Sequence, residues 1–555
     1  MQKTCEQCSA PFDITNEDLA LLARLSLTLD GKKFDLPPPR DCPDCRQQRR
    51  MSFRNERTLY RRKCDITGKD IVSIFPPDSP YKVCDKDYWY SEKFDPFPFG
   101  RKYDFNRPFF EQFKDLELSI PLPSLRIERS ENCDFNNDMR DCRNCYLCSR
   151  THESQDLLYT YRGNKSSNSV DCTQITKSEI MHECVECVKC YNCRYLFFCS
   201  ECTDCSFLLD CRSCMSCFMC TNLRNKQYCF LNEQLTKNEY KKRLAEFDFG
   251  SENHVQKAYR MFADIKKKTI RRALIHVNAE DSTGDNLFDC KNCHLCFGTQ
   301  FSQDSRYLWD VKLYKDSMDA YSGGRNSELI YYTTAGAASY GVQFCLRTSE
   351  CHDVLYSFFL NSSEYVFGSI GLRRGKYCIL NRQYSEAEYR QLLPKIVEHM
   401  ESTGEWGDFF PPSLCPFAYN ETVAHEYFPF TSKEAKEKGY RWKEQDPKDY
   451  RKQTHPLPEN IADIGDEVTN TMLACSSCGR NYKIVPQELK FYREHTVSAP
   501  RLCPDCRHMR RLGTKNPLKL REDTCRKCNK SIITTFPEGT EMQIYCDECY
   551  LKEVY

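Results

Sequence analysis

Residues 184–220 read CVECVKCYNCRYLFFCSECTDCSFLLDCRSCMSCFMC, and every third residue, from Cys184 through Leu196 and Leu208 to Cys220, is Cys or Leu. A half-exposed strand repeats every 2 residues and a helix every 3.6, so neither produces a strict 3. A narrow β-solenoid does, because its inward positions recur at small multiples of three. Small side chains then stack in ladders along the axis, with Cys packing as a small hydrophobe. The fold class expected is therefore mainly β, with solenoid-like repeats.

Working outward, the stretch Leu223-Arg224-x-x-x-Tyr228-Cys229-x-Leu231-Asn232-x-Gln234 returns as Leu372-Arg373-x-x-x-Tyr377-Cys378-x-Leu380-Asn381-x-Gln383. Each copy closes a repeat-like stretch of about a hundred residues, long enough for one solenoid. We expect a Cys-rich array at 132–233, a helical connector at 234–284 and a second array at 285–383. A helix, an aromatic cap and a linker at 384–470 complete the centre. The second array holds fewer cysteines and more Tyr, Phe and Leu, with Ser305, Ser317, Ser327, Ser349 and Ser362 suited to turn ladders.

The ends are also copies of each other. Cys5-x-x-Cys8, Phe12, Ile14, Arg40, Cys42-Pro-Asp-Cys45-Arg46 and Arg49-Arg50 match Cys475-x-x-Cys478, Tyr482, Ile484, Arg501, Cys503-Pro-Asp-Cys506-Arg507 and Arg510-Arg511. Two Cys-x-x-Cys turns present four thiolates in the geometry that tetrahedral zinc requires. The expected ligand sets are Cys5, Cys8, Cys42, Cys45; Cys475, Cys478, Cys503, Cys506; and Cys525, Cys528, Cys546, Cys549, giving three zinc ions. A fourth set is degenerate: Cys64 and Cys84 remain, but Thr67 and Asp87 stand at the other two positions. The flanking segments are thus a zinc module with a basic arm (1–63), a degenerate ribbon with an aromatic cap (64–131) and two zinc ribbons (471–555).

Residues 473–511, LACSSCGRNYKIVPQELKFYREHTVSAPRLCPDCRHMRR, resemble the small zinc-ribbon domain family of bacteria, and residues 4–50 do so less closely. The whole layout loosely resembles large Cys-rich proteins of candidate-phylum bacteria. Some of these carry a CaiB/BaiF family name, although no CoA-transferase motif occurs in this sequence. The resemblance implies zinc binding and a bacterial cytosolic setting, and no activity.

Composition agrees with that setting. The chain has 555 residues and 38 cysteines, and its 80 basic residues nearly cancel its 79 acidic ones, so net charge points to no partner class. Its length calls for several structural units. No apolar signal core opens the sequence, and the apolar run at 19–29 is too short to span a bilayer. A soluble, cytoplasmic protein without membrane contact is expected, with reduced thiols.

The central cysteines lack the spacing of ferredoxin motifs. Packed thiols are the leading reading, with metal or iron–sulfur ligation and disulfides as alternatives. Between Arg46 and Lys63 lie eight basic residues and one acid, Glu56. On a continuous helix Arg46, Arg50, Arg54, Arg57 and Arg61 share one face, which suits phosphate. Arg49 and, at the other end, Arg507, Arg510 and Arg511 extend this candidate nucleic-acid surface. A third basic cluster runs from Lys257 to Arg272. The aromatic runs at 88–113 and 406–430 are expected to cap the solenoids. No phosphate-binding Gly loop, H-E-x-x-H or G-x-S-x-G motif occurs, so no enzyme is expected. The function expected is a zinc-binding scaffold for RNA, single-stranded DNA or a ribonucleoprotein. A protein–protein scaffold is the alternative, and an iron–sulfur redox protein the third class.

Overall fold

A coil of the first array takes twelve residues, as the parallel registers Asn137↔Ser149, Gln155↔Ser167 and Leu208↔Cys220 show. Every third residue from Asp138 to Leu231 has a φ between 45° and 62°, so the chain turns a corner after each two extended residues. Four sides of three residues make one coil, which is the origin of the period of three. Left-handed backbone costs an L-residue about 1–2 kcal/mol, and only some of the corners carry the Asn or Asp that tolerate it best. The coil offsets this by pairing its backbone. Val188 N–H donates to Cys199 O one coil onward, and Lys189 N–H to Thr176 O one coil back. The third N–H of each side belongs to the inward residue and meets an inward side chain: Ser166 N–H donates to Ser154 Oγ, Cys190 N–H to Ser178 Oγ and Thr160 N–H to Cys148 Sγ. Small acceptors are selected at inward positions because that N–H has no other partner.

The computed structural model describes residues 1–444, 450–453 and 456–555; residues 445–449 and 454–455, part of the expected linker, lie outside the described residues. The chain is mainly β, with twelve α-helices among the described residues. The second array keeps the same coil length (Val342↔Val354), except for a first coil of eleven (His276↔Leu287) and one of thirteen (Met318↔Tyr331). Around the longer coil Tyr314 points inward and donates to Gly336 O, and a Cβ at Gly323 would lie 2.0 Å from the Tyr314 hydroxyl. Ser305, Ser317 and Ser327 form ladder steps as expected. Ser349 and Ser362 do not face inward; Thr348 and Ser363 hold those buried positions.

The repeated Leu-Arg…Asn-x-Gln sequence is the closure of each array. Asn232 brackets Thr221 through both its N–H and C=O, and Asn381 brackets Ile370 in the same way. A short antiparallel hairpin follows in both copies, at Cys229–Phe230 with Glu233–Gln234 and at Cys378–Ile379 with Arg382–Gln383. Capping boxes at Thr236/Glu239 and Ser385/Glu388 then start the helices Lys237–Leu244 and Glu386–Ser402.

The chain divides into two compact units, neither of them contiguous: 1–125 with 274–444, and 126–273 with 445–555. The N-terminal four-cysteine module therefore belongs with the second array, and the C-terminal four-cysteine modules with the first. Within the second of these units, the helix Glu252–Lys268 lays Val255, Ala258 and Phe262 against Phe197, Phe207 and Phe218 of the array. In the other, the aromatic runs mainly sheathe the flank of the coils rather than close their ends. Phe109 packs on Tyr356 and Phe367, Phe113 on Phe358, and Phe409 stacks on Tyr332. The stretches Trp89–Ser91 and Pro96–Arg101 reach the closing coil, the first through Arg373 and the second through Asn381 and Leu380.

Candidate metal centres and the arginine clamps

Each expected zinc set is assembled by two turns. In Cys5–Ala10, Cys5 N–H donates to Ala10 O and Ser9 N–H to Cys5 O, with Ser9 at φ 61°. The second pair, Cys42 and Cys45, opens the helix Pro43–Ser52, with Cys42 as its N-cap and Pro43 in the first turn. Cys475–Arg480 with Cys503 and the helix Pro504–Leu512, and Cys525–Lys530 with Cys546 and the helix Asp547–Val554, repeat this arrangement. In all three sets the four sulfurs lie within 4.8 Å of one another. The hydrogen bond from the Cys45 thiol, against the effect of burial, holds Cys42 down to about 6. Burial pushes Cys475 and Cys525 up, but backbone N–H groups outweigh it and hold each at about 6. Four convergent thiols, some readily ionised, fit a tetrahedral metal ion.

The degenerate ribbon keeps the knuckle turn, with Gly68 N–H on Cys64 O, while Cys64 Sγ accepts from Thr67 N–H and Asp85 N–H. Backbone donors thus surround the sulfur of Cys64.

The arginines differ from the expectation. The helix stops at Ser52, Arg57 lies beyond it, and Arg61 is in the strand Tyr60–Lys63, so no single helical face carries the five. Arg46, Arg50 and Arg54 are buried. Arg46 Nε and Arg50 Nη1 meet the two oxygens of Asp319 at 2.9 and 2.7 Å, and Arg46 lies over the Tyr307 ring. Arg54 pairs with Glu56 at 2.7 Å, Arg49 with Asp41 at 2.6 Å and Arg57 with Glu426 at 3.6 Å. Burial works against the Arg46 charge, yet Asp319 more than offsets it and holds the guanidinium above its usual range.

The C-terminal module repeats this clamp on the first array. Arg507 pairs with Asp171, Arg511 reaches the other Asp171 oxygen at 2.9 Å, and Arg507 lies over Tyr159. Arg510 is exposed along one edge and pairs with Glu183 at 2.8 Å. Tyr307 donates to Asp18 in one unit and Tyr159 to Glu488 in the other. Burial raises the Asp171 carboxyl, but Arg507 and Arg511 outweigh it and hold it low. Asp319 and Asp171 were missed from sequence. Their signal was present: each lies twelve residues after the tyrosine under its arginine, as Tyr307…Asp319 and Tyr159…Asp171.

Beside the second clamp is a cavity of about 360 Å³ lined by His182, Glu183, Tyr195, Tyr259, Ser498 and Arg510. Burial pushes the His182 imidazole down to about 3, so it is neutral. In the other unit Tyr331, Tyr332 and Phe344 occupy the equivalent positions, and Phe409 fills the space.

All 38 cysteines are unbridged, and those of the arrays are buried, Cys172 to Cys229 in one packed cluster and Cys290 to Cys378 in another. No helix among the described residues is long and apolar enough to cross a membrane. No family model and no curated protein matches this chain. The three four-cysteine clusters themselves fit zinc-ribbon-like modules at both ends.

Proposed function

We propose that this chain is a cytoplasmic, non-catalytic scaffold whose zinc-bound end modules act as structural clamps, and that its partners are proteins. The observation that supports this reading is the duplicated clamp: Arg46 and Arg50 on Asp319, and Arg507 and Arg511 on Asp171. Arginines that serve phosphate must reach it, and these are spent on docking each module to its array. Closed four-thiolate sites leave no coordination position for substrate or water, which fits structural zinc. Unbridged thiols throughout fit a reducing compartment.

Two measurements decide between this reading and the nucleic-acid one. Elemental analysis is expected to give three zinc ions per chain, and a value of one or less defeats the zinc assignment. Fluorescence anisotropy with single-stranded RNA and DNA at low salt is expected to show no binding. Tight binding that falls steeply with salt would restore the nucleic-acid reading, with the exposed Arg61 and the half-exposed Arg510 as the first residues to test.

A further inference from the structure

The interior of the first array carries sulfur where the fold does not need it. Four inward ladders run along the coils, and in three of them three or more consecutive steps are thiols: Cys187–Cys199–Cys211, Cys190–Cys202–Cys214 and Cys193–Cys205–Cys217–Cys229, all of them buried. The second array has the same coil. At the equivalent ten positions it has Gly336, Thr348 and Leu360; Ser339, Cys351 and Ser363; and Val342, Val354, Val366 and Cys378. Two thiols in ten suffice there. Serine also serves within the first array, where Ser154, Ser166 and Ser178 precede Cys190 on its own ladder and accept the same backbone N–H groups. Packing and backbone satisfaction therefore account for a small side chain at these positions, but not for sulfur.

The sulfurs also form a connected array. Parallel coils stack at about the 4.8 Å of neighbouring strands, so each ladder brings successive sulfurs together. The sides of one coil bring together neighbours three residues apart. Cys202 has Cys190, Cys199, Cys205 and Cys214 as neighbouring thiols, and Cys217 has Cys205, Cys214 and Cys220, all in one buried cluster. This differs from the terminal sites: among the described residues, only the three end sets bring three or more donors within 4.8 Å of one another. A chain of sulfurs linked in pairs is unsuited to a tetrahedral ion, and suited to a soft ion that accepts two thiolates and shares each with the next ion.

We propose that the thiol column of the first array, from Cys187 to Cys229, is a binding site for copper(I) or a like soft monovalent ion. Each ion forms bonds to bridging sulfurs, and each sulfur loses its proton to solvent. At one ion per thiolate the charges cancel, with no oxidation or reduction. That neutrality is what a buried core requires, since an uncompensated charge there is costly. Zinc held by four thiolates would instead leave two negative charges in the core. The column ends under the last coil, where the inward register falls to Lys226, and Asn225, Lys226 and Gln227 are all exposed. Entry at that end requires only local opening of one coil.

The test uses the full-length, zinc-loaded protein without oxygen, with copper(I) supplied as its bicinchoninate complex. Copper and zinc per chain are measured after desalting, together with the luminescence of water-shielded copper–thiolate clusters. The expected result is uptake of several copper ions with zinc retained and luminescence developing. Two variants keep the fold: Cys190→Ser, Cys202→Ser and Cys214→Ser continue the natural serine ladder, and Cys193→Val, Cys205→Val and Cys217→Val copy the second array. Each is expected to lose about three-tenths of the copper, with zinc content and melting behaviour near wild type. Copper bound only in proportion to zinc displaced, or equal uptake by wild type and both variants, overturns the proposal.

Discussion

Replacing Asp319 with Ala tests whether the buried arginines act as clamps. The carboxylate is fully buried and meets Arg46 and Arg50, themselves 2% and 0% exposed. Its loss strands two guanidinium groups in a site with little water. Removing one partner of a buried ion pair costs about 3–5 kcal/mol, mostly because the remaining charge is uncompensated. For a unit of this size 1 kcal/mol moves the midpoint by about 2 °C, so calorimetry should show a fall of about 6–10 °C in one transition. Hydrogen exchange should rise across residues 1–60, while bound metal stays constant because no residue of a four-cysteine set is touched. The triple change Arg46→Met, Arg50→Leu and Asp319→Leu should recover most of the loss, since apolar side chains of similar volume replace such a triad at little cost. If Asp319→Ala melts within 2 °C of wild type with unchanged protection at the N-terminus, the clamp reading is wrong.

Two further outcomes follow from single positions. Burial, only partly offset by Lys114, raises the Glu117 carboxyl from the ordinary 4.5 to about 7. Its folded value lies above its unfolded one, so its stabilising contribution is complete below about pH 4.5 and is lost as pH rises through about 7. The difference corresponds to about 3 kcal/mol; melting curves should show Glu117→Gln drawing ahead of wild type between about pH 4.5 and 7, keeping that lead above pH 7 and converging with it near pH 4, and a difference independent of pH from 4 to 7 would refute this. Gly323→Ala drives a methyl into the Tyr314 hydroxyl and should cost about 1–3 kcal/mol in denaturant unfolding, part of which Tyr314→Leu should restore; a neutral Gly323→Ala would refute the packing.

The sequence determined what depends on local spacing. A period of three fixed the inward ladders, because every third residue of a coil with three-residue sides faces the axis whatever its partners are. Two Cys-x-x-Cys turns at a short separation fixed the metal sets, because the turn itself places the sulfurs. The Asn232 and Asn381 motifs were visible as repeats, although their role as closing brackets required the neighbouring coil to be seen. The tertiary structure decided whatever depends on which distant segments meet. The Arg46–Arg61 stretch reads as a cationic surface because its counter-charge, Asp319, lies some 270 residues away, where local charge counting cannot find it. Similarly, nothing local in residues 1–52 shows that the module packs on the second array rather than the first. The clamp of one carboxylate between two arginines recurs in both units, so that choice rests on contacts that differ between them, such as buried Arg306 with Asp18, where the first array has Leu158.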